Sequence, residues 1–234
     1  MVKKVKAVFF DLDNTLIDFF RFKLSCIEAG IEGMMDAGLE IEKERALKLV
    51  MEIYEEKNLE YKNVFNEFLE KVLGYVDIRI LAAGVANYRK RRIAFLDTYP
   101  NVKPTLVKLI KKGLILGIIS DAPALKAWMR LYSSGLYPFF DYVITYDDVK
   151  ERKPSQKAFK KAIELSGIKA NEILYVGDMI SRDILGAKKC GMKTCFAKYG
   201  CVFEDPEEEY KKFKIKPDYT IEKFSDLLNL DIIK

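Results

Sequence analysis

The chain has 234 residues, of which 50% are hydrophobic and 32% are charged, a composition typical of globular rather than disordered proteins. Its formal net charge of +5 is modest, and the absence of a long basic stripe with interleaved aromatic residues argues against a nucleic-acid partner. There is no histidine, which excludes Ser-His-Asp and Cys-His catalysis and histidine-ligated zinc.

The remaining composition favours a cytoplasmic protein without a membrane partner. No apolar run approaches the length of a membrane span, and the first apolar stretch stops at Asp11, too early for a signal peptide. Frequent Lys and Glu with a single Gln is typical of proteins from hot environments. We expect reduced cysteines, because no CxxC spacing links Cys26, Cys190, Cys195 and Cys201. We also expect a monomer or homodimer.

Residues 5–10 (VKAVFF) predict a buried first strand, and two carboxylates follow it directly. Asp11 and Asp13 are two positions apart, so on an extended backbone they point to the same side. Two adjacent carboxylates repel unless a cation or a proton lies between them. The alternative is a solvated loop, in which Asp and Asn are ordinary turn residues.

From about residue 21 to residue 96 the apolar positions recur at three- and four-residue steps. This periodicity predicts four amphipathic helices and no strand. Gly38, Asn58 and Gly74 mark the breaks between the helices. We therefore predict an all-helical insert at residues 17–97.

After residue 98, helices and strands alternate. The predicted helices are 103–112, 123–133, 155–166 and 182–190, and the strands that follow them are 114–119, 142–146, 172–176 and 192–197. A short strand at 218–221 and a final helical turn complete the chain. Continuous apolar strands alternating with helices indicate a parallel sheet covered on both faces. The predicted fold is a doubly wound, Rossmann-like α/β core of residues 1–16 and 98–234, with an all-helical cap of residues 17–97 inserted after the first strand.

Polar residues follow several of these strands at their carboxyl ends, where open α/β sheets bind ligands. Ser120 follows the second strand, Asp178 and Asp183 follow the fourth, and Lys153 precedes a helix at Pro154. Each residue alone has an ordinary explanation, as a helix cap, a first-turn acid or a surface lysine. Together the carboxylates suit Mg²⁺, while the hydroxyl, the lysine and free backbone N–H groups suit phosphate oxygens.

These segments resemble the haloacid dehalogenase superfamily, in its phosphatase branch. The matching stretches are in that family's chain order: "DLDNT" (11–15), "IISDA" (118–122), "RKPS" (152–155) and "YVGDMISRDILGAKKCGM" (175–192). The insert after the first motif is similar in location to the family's helical cap. Asp121 and Arg182 depart from the pattern, since the family often has Asn at these places.

The resemblance implies a role for each motif residue. Asp11 would be the nucleophile that forms an aspartyl-phosphate. Asp13 would protonate the leaving alcohol, then activate the hydrolytic water, and would offer its backbone carbonyl to Mg²⁺. The metal ligands would then be Asp11, Asp13 and Asp178. Ser120, Asp121 and Lys153 would bind the phosphoryl oxygens, and Asp183 and Thr15 would support the metal ligands.

The implied function is that of a Mg²⁺-dependent phosphatase for small phosphorylated metabolites, with the cap as a mobile lid. The overall similarity favours triose phosphates, with glyceraldehyde 3-phosphate first and phosphoglycolate next. A sugar phosphomutase would use the same acid at Asp13, whereas dehalogenation needs none there. A receiver domain, a different class of protein, also has acidic residues of this kind and would here be phosphorylated on Asp147 or Asp148. A third alternative is a catalytically inactive binding module.

Overall fold

The computed structural model describes residues 4–57, 61–94, 96–202 and 204–233. The chain divides into two compact units, an α/β unit of Met1–Phe19 with Leu96–Lys234 and a helical unit of Phe20–Phe95. Asn58, predicted to end a helix, lies outside the described residues. Within the described ranges, no helix has both the length and the apolar character needed to span a bilayer.

The helical unit contains the four predicted helices. They are α1 (Phe19–Asp36), α2 (Lys43–Lys57), α3 (Val64–Leu73) and α4 (Ile78–Ala94). Their buried faces form one apolar cluster that includes Ile31, Val50, Phe68 and Leu69. The amphipathic periodicity in the sequence therefore corresponds to a real core, as expected for helices that bury one face.

The α/β unit is built on a six-stranded sheet. Its strands are β1 (Ala7–Phe10), β2 (Ile115–Ile119), β3 (Tyr142–Ile144), β4 (Ile173–Gly177), β5 (Lys193–Ala197) and β6 (Tyr219–Ile221). All pairings are parallel, in the order β3-β2-β1-β4-β5-β6. This confirms the predicted doubly wound α/β fold, whose strand order reverses next to β1 and so opens a crevice there.

The first strand is buried on both faces, as its continuous apolar sequence predicts. Val8 lies opposite Leu116 on β2 and Leu174 on β4, and all three belong to the cluster on one face of the sheet. Phe9 points to the other face, where it belongs to a cluster with Phe159. With both faces covered, the open end of β1 is the place where polar groups can gather.

The helices of this unit are α5 (Val102–Lys111), α6 (Ala124–Ser133), α7 (Tyr146–Val149), α8 (Lys157–Ser166), α9 (Leu185–Lys189) and α10 (Pro206–Phe213). Two of them, α7 and α10, are absent from the sequence-based prediction. The predicted strand 142–146 ends at Ile144, because Thr145 and Asp148 form a capping box that begins α7. Asp205 caps α10 with Pro206 in its first turn, a start signal that the periodicity alone does not reveal. The predicted helix 182–190 begins earlier, as a π-helical turn over Ile180–Ile184.

Candidate active site

Three neighbouring strands end next to one another and place polar residues at a single edge of the sheet. Asp11 follows β1, and its backbone N–H donates to the Val176 carbonyl of β4 at 2.9 Å. Ser120 follows β2 and donates its N–H to the Ile144 carbonyl at 2.9 Å. Asp178 follows β4 directly. The sheet's own hydrogen-bond ladder therefore fixes the backbone of the predicted nucleophile.

Lys153 lies at the centre of the site with a fully buried side chain. Its ammonium donates to Asp11 Oδ1 and Asp183 Oδ1 at 2.6 Å each, and lies 3.0 Å from the Tyr175 hydroxyl and 3.2 Å from the Ile119 carbonyl. Burial alone would lower the pKa of Lys153, but the two adjacent carboxylates outweigh it and raise that pKa. The lysine is therefore a permanent positive charge beside Asp11.

Asp183 is fully buried and both of its oxygens are engaged. Oδ1 accepts from Lys153, and Oδ2 accepts from the backbone N–H of Met179 at 3.1 Å. Burial would raise the pKa of Asp183, but Lys153 and Arg182 lower it further than burial raises it. Gly177 permits this approach, because a Cβ there would lie 2.5 Å from the Asp183 Cβ. Asp183 thus holds Lys153 in place, a role that its position in a helix's first turn could not reveal.

Asp11 and Asp178 each keep one oxygen without a hydrogen-bond partner in the part of the chain that is described. These are Asp11 Oδ2 and Asp178 Oδ2, both buried, whereas Asp178 Oδ1 accepts from the Thr15 hydroxyl at 3.3 Å. Burial raises the pKa of Asp11 to about 6. Burial, followed by the charges of Asp183 and Asp11, raises the pKa of Asp178 well above its usual range. Such carboxylates are costly to ionise without a further cation.

The donor set fits a hard divalent cation. Ligand atoms of Asp11, Asp178 and Asp183 all lie within 4.8 Å of one another. Carboxylate oxygens are the ligands that Mg²⁺ prefers, and a bound cation would satisfy the unpartnered oxygen of Asp178. Asp13, the third ligand predicted from the sequence, is not one of these three carboxylates. A metal contact from its backbone carbonyl stays a prediction.

The carboxylate of Asp13 instead forms an ion pair with Arg130 of α6. Arg130 is nearly buried, and its guanidinium also lies over the ring of Phe19, with its central carbon 4.0 Å from the ring centre. A buried arginine in an amphipathic helix carries no sequence signal that tells it from a surface arginine. Its pairing with Asp13 therefore could not be predicted.

Ser120 and Asp121 form the turn between β2 and α6. The buried Ser120 hydroxyl accepts from the backbone N–H of Ala122 at 3.2 Å. The Asp121 side chain accepts from the backbone N–H of Lys153 at 2.9 Å, so it ties the two predicted phosphate-binding segments together. Because a carboxylate cannot donate a hydrogen bond, the predicted phosphate contact of Asp121 would have to come from its backbone N–H.

The segment after β5 closes one side of the site by direct backbone contact. A Cβ at Gly200 would lie 1.7 Å from the carbonyl oxygen of Asn14, so only glycine fits there. The neighbouring Tyr199 donates its hydroxyl hydrogen to the Thr15 carbonyl at 2.7 Å. This segment thereby supports the predicted motif at residues 11–15.

Two further residues of the site were given no role from the sequence, Arg182, noted only as a departure from the family's pattern, and Tyr175. Arg182 faces the carboxylates of Asp11 and Asp121 at 3.6 Å each and that of Asp183 at 3.8 Å. Tyr175, an apparent core residue of β4, donates to Asp183 Oδ1 at 3.1 Å. A tyrosine in a buried strand is ordinary, and only the neighbouring charges give its hydroxyl a function.

The acceptor residues of a receiver-like module do not lie in this cluster. Asp147 accepts from the backbone N–H of Ala124 at 2.7 Å and pairs with Lys150. Asp148 accepts from the N–H and the hydroxyl of Thr145, both at 2.8 Å. Hydrogen bonds to these partners lower the pKa of both carboxyls, although burial opposes the shift in Asp148. Both residues act as caps.

Comparison with known protein families gives one match over most of the chain. Residues 8–197 match the model of the haloacid dehalogenase-like hydrolase family. This range contains every residue of the site described above except Tyr199 and Gly200, and it also spans the helical unit.

Individual relatives extend the match to nearly the whole chain. The glyceraldehyde 3-phosphate phosphatase of Methanocaldococcus jannaschii is 35% identical over 230 residues, covering 98% of this chain and 97% of that protein. The enzyme of the same name from Pyrococcus furiosus is 32% identical, covering 98% and 94%. Among solved structures, a phosphatase of this family from Thermococcus onnurineus aligns with a TM-score of 0.62 at 26% identity, covering 96% of each chain.

Proposed function

The chain belongs to the haloacid dehalogenase-like hydrolases, and from this premise we propose that it is a Mg²⁺-dependent phosphatase for small phosphomonoesters. One observation carries the proposal. Asp11 is a buried carboxylate with one oxygen bound to Lys153 and the other without a hydrogen-bond partner among the described residues. That second oxygen is available to attack phosphorus, and the raised pKa of Asp11, about 6, still leaves it mostly ionised at neutral pH.

In the proposed reaction the Asp11 oxygen attacks phosphorus, and the bond from phosphorus to the ester oxygen breaks. Asp13, once it is protonated and released from its ion pair with Arg130, gives its proton to the departing alcohol. Asp13 then takes a proton from water, which attacks the aspartyl-phosphate and releases inorganic phosphate and free Asp11. Lys153 and Ser120 bind the phosphoryl oxygens whose charge changes during both steps.

The predicted metal would be held by Asp11 and Asp178, with Asp183 next to them. When bound, Mg²⁺ would offset the charge of the carboxylates and of the phosphoryl group. Lys153 contributes a positive charge, as Mg²⁺ would, and it keeps Asp11 oriented through its 2.6 Å hydrogen bond. Thr15 orients Asp178 in the same way.

The named relatives support glyceraldehyde 3-phosphate as the first substrate to test. Phosphoglycolate, the second substrate favoured by the sequence, is the next. We also propose that the helical unit acts as a lid. A lid excludes water and admits small esters in preference to phosphoproteins.

A phosphate-release screen over a panel of metabolites with Mg²⁺ tests this function. We expect hydrolysis of small esters, loss of activity in chelator and recovery on adding Mg²⁺. Full activity in chelator would contradict the proposed chemistry, and a preference for a phosphopeptide would contradict the lid. A sugar phosphomutase would convert one sugar phosphate into another while releasing little inorganic phosphate.

Two substitutions at the end of β1 test the mechanism itself. Asp11→Asn removes the nucleophile, so turnover should fall to background, by about 10⁴-fold or more. Asp13→Asn keeps the nucleophile but loses proton transfer, which is worth about 10²- to 10⁴-fold. With an aryl phosphate, whose phenolate leaves unprotonated, Asp13→Asn should release one burst of phenol and accumulate acyl phosphate on Asp11. Phosphate mapped to any other residue would overturn the mechanism.

A further inference from the structure

Arg182 is a cationic side chain of the site to which the proposed mechanism gives no role. It lies in the π-helical turn Ile180–Ile184 that follows β4, a type of turn that often occurs at functional sites. Its side chain is 31% exposed, whereas that of Lys153 is fully buried. Arg182 therefore lies on the solvent side of the carboxylates that Lys153 contacts from inside.

The guanidinium is close to its neighbours but is not saturated by them. Its terminal nitrogens lie 3.6 Å from Asp11 Oδ2, 3.6 Å from Asp121 Oδ2 and 3.8 Å from Asp183 Oδ2. These distances exceed those of ordinary hydrogen bonds. Within the described residues its Nε is buried and has no hydrogen-bond partner. A guanidinium has five N–H donors in a rigid fork, so most of the hydrogen-bond donors of Arg182 remain available to a ligand.

The free donors lie beside the atom that is proposed to react. Asp11 Oδ2 is the oxygen that Lys153 does not bind, and it is the oxygen that Arg182 faces. A phosphoryl group attacked by this oxygen would bring its own oxygens to within reach of the guanidinium. A planar fork with two parallel N–H groups matches such oxygens better than a lysine does.

The net charge of the site also favours a role for Arg182 in binding an anion. Four carboxylates, those of Asp11, Asp121, Asp178 and Asp183, outnumber Lys153 and Arg182 by two. A divalent cation would bring the group to neutrality, and without Arg182 the same group would keep a negative charge. A phosphate dianion would then be repelled at the moment of binding.

We propose that Arg182 is a further substrate-binding residue, which donates to the phosphoryl oxygens on the solvent side of Asp11 while Asp121 holds its guanidinium in position. This inference rests on the proposed phosphatase function and deepens it. The Asp121 carboxylate suits this positioning task, since its other oxygen is fixed by the backbone N–H of Lys153 at 2.9 Å.

Equilibrium titration with inorganic phosphate in the presence of Mg²⁺ tests the proposal. Arg182→Met should weaken phosphate binding about 10- to 100-fold, the usual size of charge-assisted hydrogen bonds. Arg182→Lys should recover part of that loss. The matched control is Arg152→Met, which removes the same charge from an exposed side chain next to Lys153 and should stay within about twofold of wild type, since water screens an exposed charge.

Titration of the same variants with Mg²⁺ alone separates this role from a purely structural one. Arg182→Met should bind Mg²⁺ as well as wild type or better, because a positive charge beside the carboxylates is gone. If Arg182→Met binds Mg²⁺ more tightly but phosphate as well as wild type does, Arg182 only offsets the negative charge of the carboxylates. That result would overturn the proposal. Loss of both ligands would mean that it holds the carboxylates in place, which also contradicts the proposal.

The two levels of inference can fail separately. Wild-type protein that binds no phosphate with Mg²⁺ and hydrolyses no phosphomonoester would contradict the proposed function. Wild-type protein that does both, while Arg182→Met equals it in phosphate affinity, would contradict only the role of Arg182.

Discussion

The two units of this chain differ in what they bury. Among the residues that the structure describes, every buried charged side chain belongs to the α/β unit, including Asp11, Lys153, Asp178 and Asp183. The buried cluster of the helical unit is largely apolar, with Ile31, Phe68 and Leu69 as examples. Buried charges stabilise a fold poorly, since desolvation offsets their attraction. The α/β unit thus contains the candidate site, whose buried charges are expected to cost stability.

Ion pairs of equal length provide the sharpest test of this difference. Lys153 Nζ lies 2.6 Å from Asp11 with both side chains buried, and Lys43 Nζ lies 2.6 Å from Glu32 with side chains 40% and 56% exposed. Lys153→Met leaves two buried carboxylates without their cation, so we expect a loss of about 3–5 kcal/mol in unfolding free energy as well as loss of activity. Lys43→Met should leave the unfolding midpoint unchanged, because water screens exposed pairs.

The single tryptophan makes this measurement specific to one unit. Trp128 lies on α6 of the α/β unit, so its fluorescence follows that unit, whereas far-ultraviolet circular dichroism follows the helices of both. Denaturant titrations followed by both signals would show where stability is lost. Equal effects of the two lysine substitutions would contradict the contrast drawn between the units.

A substitution in the apolar core of the helical unit tests the other side of the comparison. Leu69 is fully buried on α3, and Leu69→Ala should cost about 2–5 kcal/mol through lost burial and the cavity left behind. The loss should appear mainly in circular dichroism rather than in Trp128 fluorescence. Mg²⁺ binding should stay unchanged in this variant. Weakened metal binding would show that the site depends on the helical unit for its geometry.

Removing one carboxylate from the α/β unit should have the smallest effect on stability, and the effect should depend on metal. Asp178→Asn relieves repulsion from Asp183 and Asp11, so the metal-free variant should melt at or above the wild-type temperature. Wild-type protein should gain about 2.7 kcal/mol when Mg²⁺ is present at about 100 times its dissociation constant. Asp178→Asn should lose most of that gain.

The control for metal binding is Asp147→Asn. It removes an exposed carboxylate that caps α6 outside the cluster. This variant should keep the full shift in melting temperature with Mg²⁺. A wild-type melting temperature that does not respond to Mg²⁺ would contradict the proposed metal site, whatever the variants show.

Most of the fold could be predicted because its signals are local. The apolar run of β1 and the three- and four-residue steps of α1 to α4 follow from how a strand or a helix presents its faces to a core. Thr145 and Asp205 carry equally local capping signals, so the missed helices α7 and α10 were readable as well. Placing Asp11, Ser120 and Asp178 at one edge followed from a simple rule, that parallel strands end side by side.

The sequence by itself thus determined the α/β class, the helical insert and the order in which the motif residues follow their strands. Only the tertiary structure decided which charges meet. Lys153 lies between Asp11 and Asp183, Asp13 pairs with Arg130, and Arg182 faces the free oxygen of Asp11. The physical reason is that periodicity reports the burial of one face of an element. The pairing of long charged side chains depends on where separate elements cross, and the residue types alone do not encode those distances.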